Sequence, residues 1–196
     1  MIAIADLGVG NFANVEKALD GRVTSDPDLI SRADKIVLPG VGNFGEVARR
    51  LQPLKGAILE RIESGVPFLG ICLGLQLLFP GSSEAEGEGL GLIDGEVVPL
   101  PRDARPHIGW NQVIERKNSP LLDKIPEGSF FYFVHSFFVR PKNSNLIVGT
   151  TQYETDDGFG EFPAIIQRGK VFGVQFHPEK SSQFGLQVLE RFKRFG

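Results

Sequence analysis

Over the first 80 residues, short apolar runs alternate with stretches of helical character. Met1 to Leu7, Lys35-Ile36-Val37-Leu38 and Val66-Pro67-Phe68-Leu69 read as strands buried on both faces, each apolar run giving way to glycine. The breaks are Gly8-Val9-Gly10-Asn11, Pro39-Gly40-Val41-Gly42-Asn43 and Gly70-Ile71-Cys72-Leu73-Gly74. Between them the pattern predicts a helix through Val15 to Leu19 and another over residues 44–64. The second is expected in two pieces, because Pro53 lacks the N–H a helix interior needs, and Gly65 stops it. From Leu73 to Phe79 no proline or β-branched residue interrupts, so a helix is predicted there up to Pro80. Strands alternating with helices in this way predict an α/β fold, a doubly wound and mostly parallel sheet flanked by helices.

After the acidic, small-residue loop Ser82 to Gly89 the character changes. Val97-Val98, Ile108 to Ile114, Phe130 to Val139, Leu146 to Gln152, Ala164 to Gln167 and Val171 to Phe176 are β-rich runs separated by turn residues. They predict an antiparallel or mixed extension of the same domain, since no linker interrupts the chain. Ser181 to Arg194 closes the pattern as an amphipathic helix, with Phe184, Val188 and Phe192 on one face.

Composition narrows the function classes. With 41% hydrophobic and 23% charged residues, the 196-residue chain is an ordinary soluble globular domain. A net charge of −3, without a basic run carrying interleaved aromatics, gives nucleic acid no purchase. No apolar stretch is long enough for a membrane-spanning helix, and Met1 to Asp6 lacks the basic flank of a signal peptide. The single cysteine rules out an internal disulfide and fits a reducing, cytoplasmic setting. Three histidines without Cys or His partners at ligand spacing give no metal site. The Gly8–Asn11 turn lacks the third glycine and the downstream acid of a dinucleotide fingerprint.

Chemistry centres on Cys72. A lone cysteine in an apolar run is by default a small buried hydrophobe, but Gly70-Ile71-Cys72-Leu73-Gly74 has the form of a strand-to-helix nucleophile elbow. A sulfur at a helix start also faces backbone N–H groups that favour the thiolate. Such a nucleophile needs a base and an orienter for it. In Gln175-Phe176-His177-Pro178-Glu179, extended backbone puts His177 and Glu179 on one side, the carboxylate near the imidazole. The glycine-rich turn Pro39–Gly42, at a strand end, can present N–H groups to a developing oxyanion, as can Leu73 N–H. By the same reading His135, Trp110 and Tyr132 are core residues by default.

Taken together, Pro-Gly-Val-Gly, Gly-Ile-Cys-Leu-Gly-Leu-Gln and Gln-Phe-His-Pro-Glu resemble the class I (triad-type) glutamine amidotransferases in order and spacing, over essentially residues 1–196 as one domain. The resemblance implies Cys72 as nucleophile, His177 as general base and acid, and Glu179 as its orienter. It implies oxyanion N–H groups at Val41 and Leu73, and glutamine held by Gly42, Gln76, Glu84, His135, Ser136 and Phe137. Glu84 comes from a loop that also offers Glu86 and Glu88, and Phe137 stands where the family often has tyrosine. Further stretches (Asp34 through Gly42, Pro106 to Asn111, Phe131 to Ser136, His177 to Lys180) resemble the small standalone glutaminase subunits of histidine biosynthesis. That likeness implies a heterodimer with a (β/α)₈-barrel cyclase subunit, with Trp110, Tyr132 and Lys180 facing the partner, and no cofactor.

Overall fold

The computed structural model describes residues 1–10, 12–155 and 158–196; Asn11 of the first glycine turn lies outside them. The first half runs β1 (Ile2–Ala5), α1 (Phe12–Leu19), β2 (Arg22–Thr24), α2 (Pro27–Ile30), β3 (Lys35–Gly40), α3 (Phe44–Glu63), β4 (Phe68–Cys72) and α4 (Leu73–Gln76). The second half is β5 (Gly95–Pro99), β6 (His107–Gln112), β7 (Ile114–Glu115), β8 (Phe130–His135), β9 (Phe137–Pro141), β10 (Ile147–Thr155), β11 (Gly158–Arg168), β12 (Val171–Val174) and α5 (Ser182–Arg194).

An eight-stranded sheet in the order β2-β1-β3-β4-β12-β11-β10-β7 forms the centre. Its first five strands are mutually parallel, and the last three continue it antiparallel. Alternate residues of β3 enter opposite cores: Ile36 and Leu38 pack with α3 side chains Val47, Leu51 and Ile58, whereas Val37 packs with Val15 of α1 and Val188 and Phe192 of α5. Burial on both faces is why these strands read as unbroken apolar runs. Among the described residues no helix is long and apolar enough to cross a membrane.

Three expectations are corrected. Helix α3 is continuous across Pro53; Pro53 is exposed, so the carbonyl it deprives of a donor can take water instead, and Asn43 caps the helix start by accepting Glu46 N–H. Helix α4 ends at Gln76 instead of continuing to Phe79, because the Leu77 and Leu78 carbonyls accept the N–H groups of Leu90, Leu92 and Ile93 from the returning chain. The run Phe130 to Val139 is two strands in different small sheets: β8 pairs with β6 and β9 with β5, divided at Ser136.

Close packing of α4 onto β3 and β4 requires its glycines. A Cβ on Gly74 would fall 1.7 Å from the Leu38 carbonyl oxygen, and one on Gly70 would fall 2.4 Å from that of Gly74. Gly56, in contrast, has open space around its position in α3. Gly74→Ala should therefore destabilise the fold by about 3 kcal/mol or more, whereas Gly56→Ala should stabilise it by about 0.5–1 kcal/mol. Urea unfolding midpoints of the two variants check both signs.

Candidate active site

Cys72 ends β4 and caps α4 with φ 55° and ψ −106°, a left-handed conformation rare outside glycine. Pairing of β4 with β3 sets Gly40 opposite Cys72, so the glycine turn at the end of β3 stands beside the sulfur. Sγ lies 3.8 Å from the Val134 carbonyl of β8 and 3.7 Å from Gln175 Nε2.

His177 arrives just beyond β12, the strand adjoining β4. Its backbone is held from several sides: its N–H donates to the Tyr132 carbonyl, and its own carbonyl accepts the Ser181 hydroxyl at 2.6 Å. That hydroxyl in turn accepts Tyr132 N–H at 2.9 Å, tying β8 to the same turn. The imidazole Nδ1 donates to Glu179 Oε1 at 2.8 Å, with both side chains almost wholly out of water. Burial works against a charge on His177, yet interaction with Cys72 and then Glu179 outweighs it and raises its pKa to about 10. The ring is therefore an imidazolium at neutral pH. Its Nε2 is buried and makes no hydrogen bond in the free chain.

In front of Cys72 opens a cavity of about 250 Å³. This is below the roughly 300–1,000 Å³ of clefts for drug-sized ligands and suits a single small molecule. Val41, Leu73, Gly42, Gln76, Glu84, His135, Ser136 and Phe137 all line it together with Cys72. Of the three acids in the 84–88 loop it is Glu84 that forms wall, accepting Phe44 N–H at 2.8 Å at the start of α3; Glu88 pairs with Lys55. Gly42 has φ +106° and open space where a Cβ would stand, and Val41 is partly exposed. The glycine there answers a backbone conformation and not a close contact.

Sequence reasoning missed Pro106 and Val134, which also line the cavity, and the buried amide of Gln175 beside the sulfur. The period of two along extended chain was a usable signal for Gln175, two residues before His177. Trp110 is not core: it is half exposed and meets Tyr132 edge-on, with ring centroids 6.0 Å apart. Register across β6–β8 sets Ile108 opposite Val134, Trp110 opposite Tyr132 and Gln112 opposite Phe130. Ile108, Trp110 and Phe130 are exposed there, and Lys180 is exposed just past Glu179.

The family model for class-I glutamine amidotransferases matches residues 13–194. The imidazole glycerol phosphate synthase subunit HisH of Thermococcus kodakarensis is 54% identical, over 99% of this chain and 100% of its own. HisH of Pyrococcus furiosus is 55% identical over 98% of each chain. Among solved structures, PurLQS from Thermotoga maritima superposes with a TM-score of 0.76 at 19% identity, covering 97% of this chain and 96% of that one, a likeness of fold. The chain belongs to the class-I glutamine amidotransferase family, and within it to the HisH subunits of imidazole glycerol phosphate synthase.

Proposed function

We propose that this chain hydrolyses L-glutamine through a Cys72 thioester. The ammonia it releases goes to a (β/α)₈-barrel cyclase subunit, which makes imidazole glycerol phosphate and an aminoimidazole carboxamide ribonucleotide in histidine biosynthesis. The observation that carries this reading is Cys72 in the wall of a cavity of amino-acid size, with the buried His177–Glu179 pair interacting with it from behind that wall. A cytoplasmic setting keeps the lone thiol reduced.

An amide is a poor electrophile, and a thiolate splits its hydrolysis into two easier steps. In the resting pair the proton that leaves Cys72 is already held at His177 Nε2, Nδ1 being engaged by Glu179. The thiolate attacks the glutamine side-chain carbonyl, and N–H groups of Leu73 and Val41 take the negative oxygen. On collapse the carbon–nitrogen bond breaks, His177 gives its proton to the leaving nitrogen, and ammonia departs. His177 then draws a proton from water, which attacks the thioester; glutamate leaves and the Cys72–His177 pair is restored. Glu179 stays ionised throughout and stabilises each imidazolium. Gln76, Glu84 and the 135–137 wall hold the glutamine head group, the contact at Phe137 being made by backbone.

Ammonia released into neutral water is protonated and no longer nucleophilic, so release must coincide with an acceptor. The open space at Gly42 supports an oxyanion pocket completed only when the partner docks. The partner's footprint is the outer face of β6–β8: Ile108, Trp110 and Phe130 are three of the six large apolar side chains exposed among the described residues. Tyr132 and Lys180 border it and link docking to the His177 turn.

Cys72→Ala should lower glutamine-dependent turnover by about a thousandfold or more while ammonia-dependent turnover by the complex stays near wild type; assays with the two nitrogen sources check this. Glutamine hydrolysis by the free chain should be at least about a hundredfold slower than in the complex with the cyclase and its ligand, on the scale of one missing oxyanion donor. Equal rates with and without the partner would overturn the proposed coupling. Trp110→Ala should weaken association by about 2 kcal/mol, as for a central aromatic anchor, measured by titration calorimetry with the cyclase.

A further inference from the structure

All three histidines of the chain lie at this site, and the reaction above uses only one of them as acid and base. His135 is part of the cavity wall. His107 packs behind it, paired in register across β6–β8, and both rings are buried. His107 is wedged between aromatic rings, stacked on Phe133 at 4.9 Å and tilted against Tyr153 at 3.6 Å between centroids.

Hydrogen-bond chemistry fixes where the protons sit. His135 Nδ1 is 2.9 Å from the Phe137 carbonyl oxygen, which can only accept, so Nδ1 carries a proton. Both rings are neutral: burial first, and a neighbouring histidine second, push His107 down to about 3, and burial with the nearby His177 charge outweighs the Phe137 bond to push His135 down to about 4. A neutral imidazole has one N–H, which leaves His135 Nε2 a bare acceptor. It lies 3.0 Å from His107 Nδ1, so His107 donates there, and its own Nε2 is left as a buried lone pair without a partner. The reverse tautomer of His135 would set a bare nitrogen against a carbonyl oxygen at 2.9 Å.

The Phe137 carbonyl has a second donor, Gln76 Nε2 at 3.0 Å. The same Gln76 nitrogen faces Gln175 Oε1 at 3.5 Å, which turns the other end of the Gln175 amide toward Cys72 Sγ. A polar chain thus runs from β6 through the cavity wall to Cys72, with two donors meeting at the Phe137 carbonyl.

We propose that His107 is a positioning residue: by donating to His135 Nε2 it locks His135 in the Nδ1–H tautomer, and so holds the Phe137 carbonyl and Gln76 where glutamine binds. The kinetic consequence rests on the glutaminase reading; the tautomer assignment does not. Because β6 carries His107 inward and Ile108 and Trp110 outward, the same strand that meets the partner anchors the pocket wall.

The test uses the full chain with ¹⁵N-labelled histidine, together with labelling of Cys72 by a glutamine-like diazo ketone and by iodoacetamide. In wild type, His107 and His135 should both appear as neutral Nδ1–H tautomers that do not titrate above about pH 5. In His107→Leu, which keeps volume but removes the donor, His135 should become a tautomer mixture. Diazo ketone labelling at sub-saturating reagent should then fall at least about tenfold, while iodoacetamide labelling stays within about twofold. His107→Asn, whose amide nitrogen can donate in place of Nδ1, should recover most of the loss. An Nε2–H tautomer of His135 in wild type would overturn the proposal, as would an unchanged His135 tautomer or full diazo ketone labelling in His107→Leu. His107→Asn as slow as His107→Leu would mean that the ring only fills space. Absence of diazo ketone labelling in wild type would instead count against the glutaminase reading, leaving the His135 tautomers in wild type and variants to decide the role of His107.

Discussion

The site depends on how closely α4 packs over the end of β3. With no side chain at Gly74, the α4 backbone lies against the Leu38 carbonyl, and the lack of one at Gly70 lets β4 turn directly into it. That closeness forces Cys72 into its positive-φ conformation, costing roughly 1–2 kcal/mol of local strain, which the two cores on either side of the sheet sustain. In return the sulfur is carried at a fixed point where β3, β4 and β12 end side by side. Each remaining part of the site arrives on an element that abuts this point: the glycine turn from β3, His177 from the segment after β12, and the cavity wall from the end of β8.

Burial disfavours the charge on all three histidines, and the neighbours decide which ring keeps one. His177 has a carboxylate at 2.8 Å and the cysteine opposite, so it is held charged. His135 and His107 have a carbonyl and each other, so they are held neutral. One charged and two neutral rings are thus built from one residue type within one small region. Glu179 Oε2 and His177 Nε2 are buried without a hydrogen-bond partner among the described residues, which leaves both atoms free to take one.

Much of this was legible in the sequence because it is local. Buried parallel strands leave unbroken apolar runs, glycines mark their ends, and the His177–Glu179 pairing follows from a spacing of two in extended chain. What stayed hidden is non-local or short. Strand β2 and helix α2 are three and four residues long, too brief for a period to emerge. No glycine or proline marks the bend at Ser136, so Phe130 to Val139 read as one strand. Pro53 read as a break because exposure of one helix face is invisible in a linear pattern. Trp110 looked like core because size alone suggests burial, whereas its strand lies in a two-stranded sheet with one open face. The polar chain through His107, Gln76 and Gln175 joins residues from β6, α4 and the segment after β12, and nothing near any one of them names its partner.

The proposed docking face, the cavity wall and the His177 turn share β8: Phe130 on the exposed face, Phe133 in the core, the Val134 carbonyl by the sulfur and the Tyr132 carbonyl on His177 N–H. A partner that shifts this strand acts on the reaction centre through contacts already in place. The central claim, that Cys72 carries the γ-glutamyl group of glutamine, is tested most directly by acid-quenching the complex with the cyclase and its ligand during turnover and mapping its mass. The account predicts one hydroxylamine-labile γ-glutamyl adduct on the peptide containing Cys72. Glutamine turnover with no adduct, or with the adduct on another residue, would contradict it.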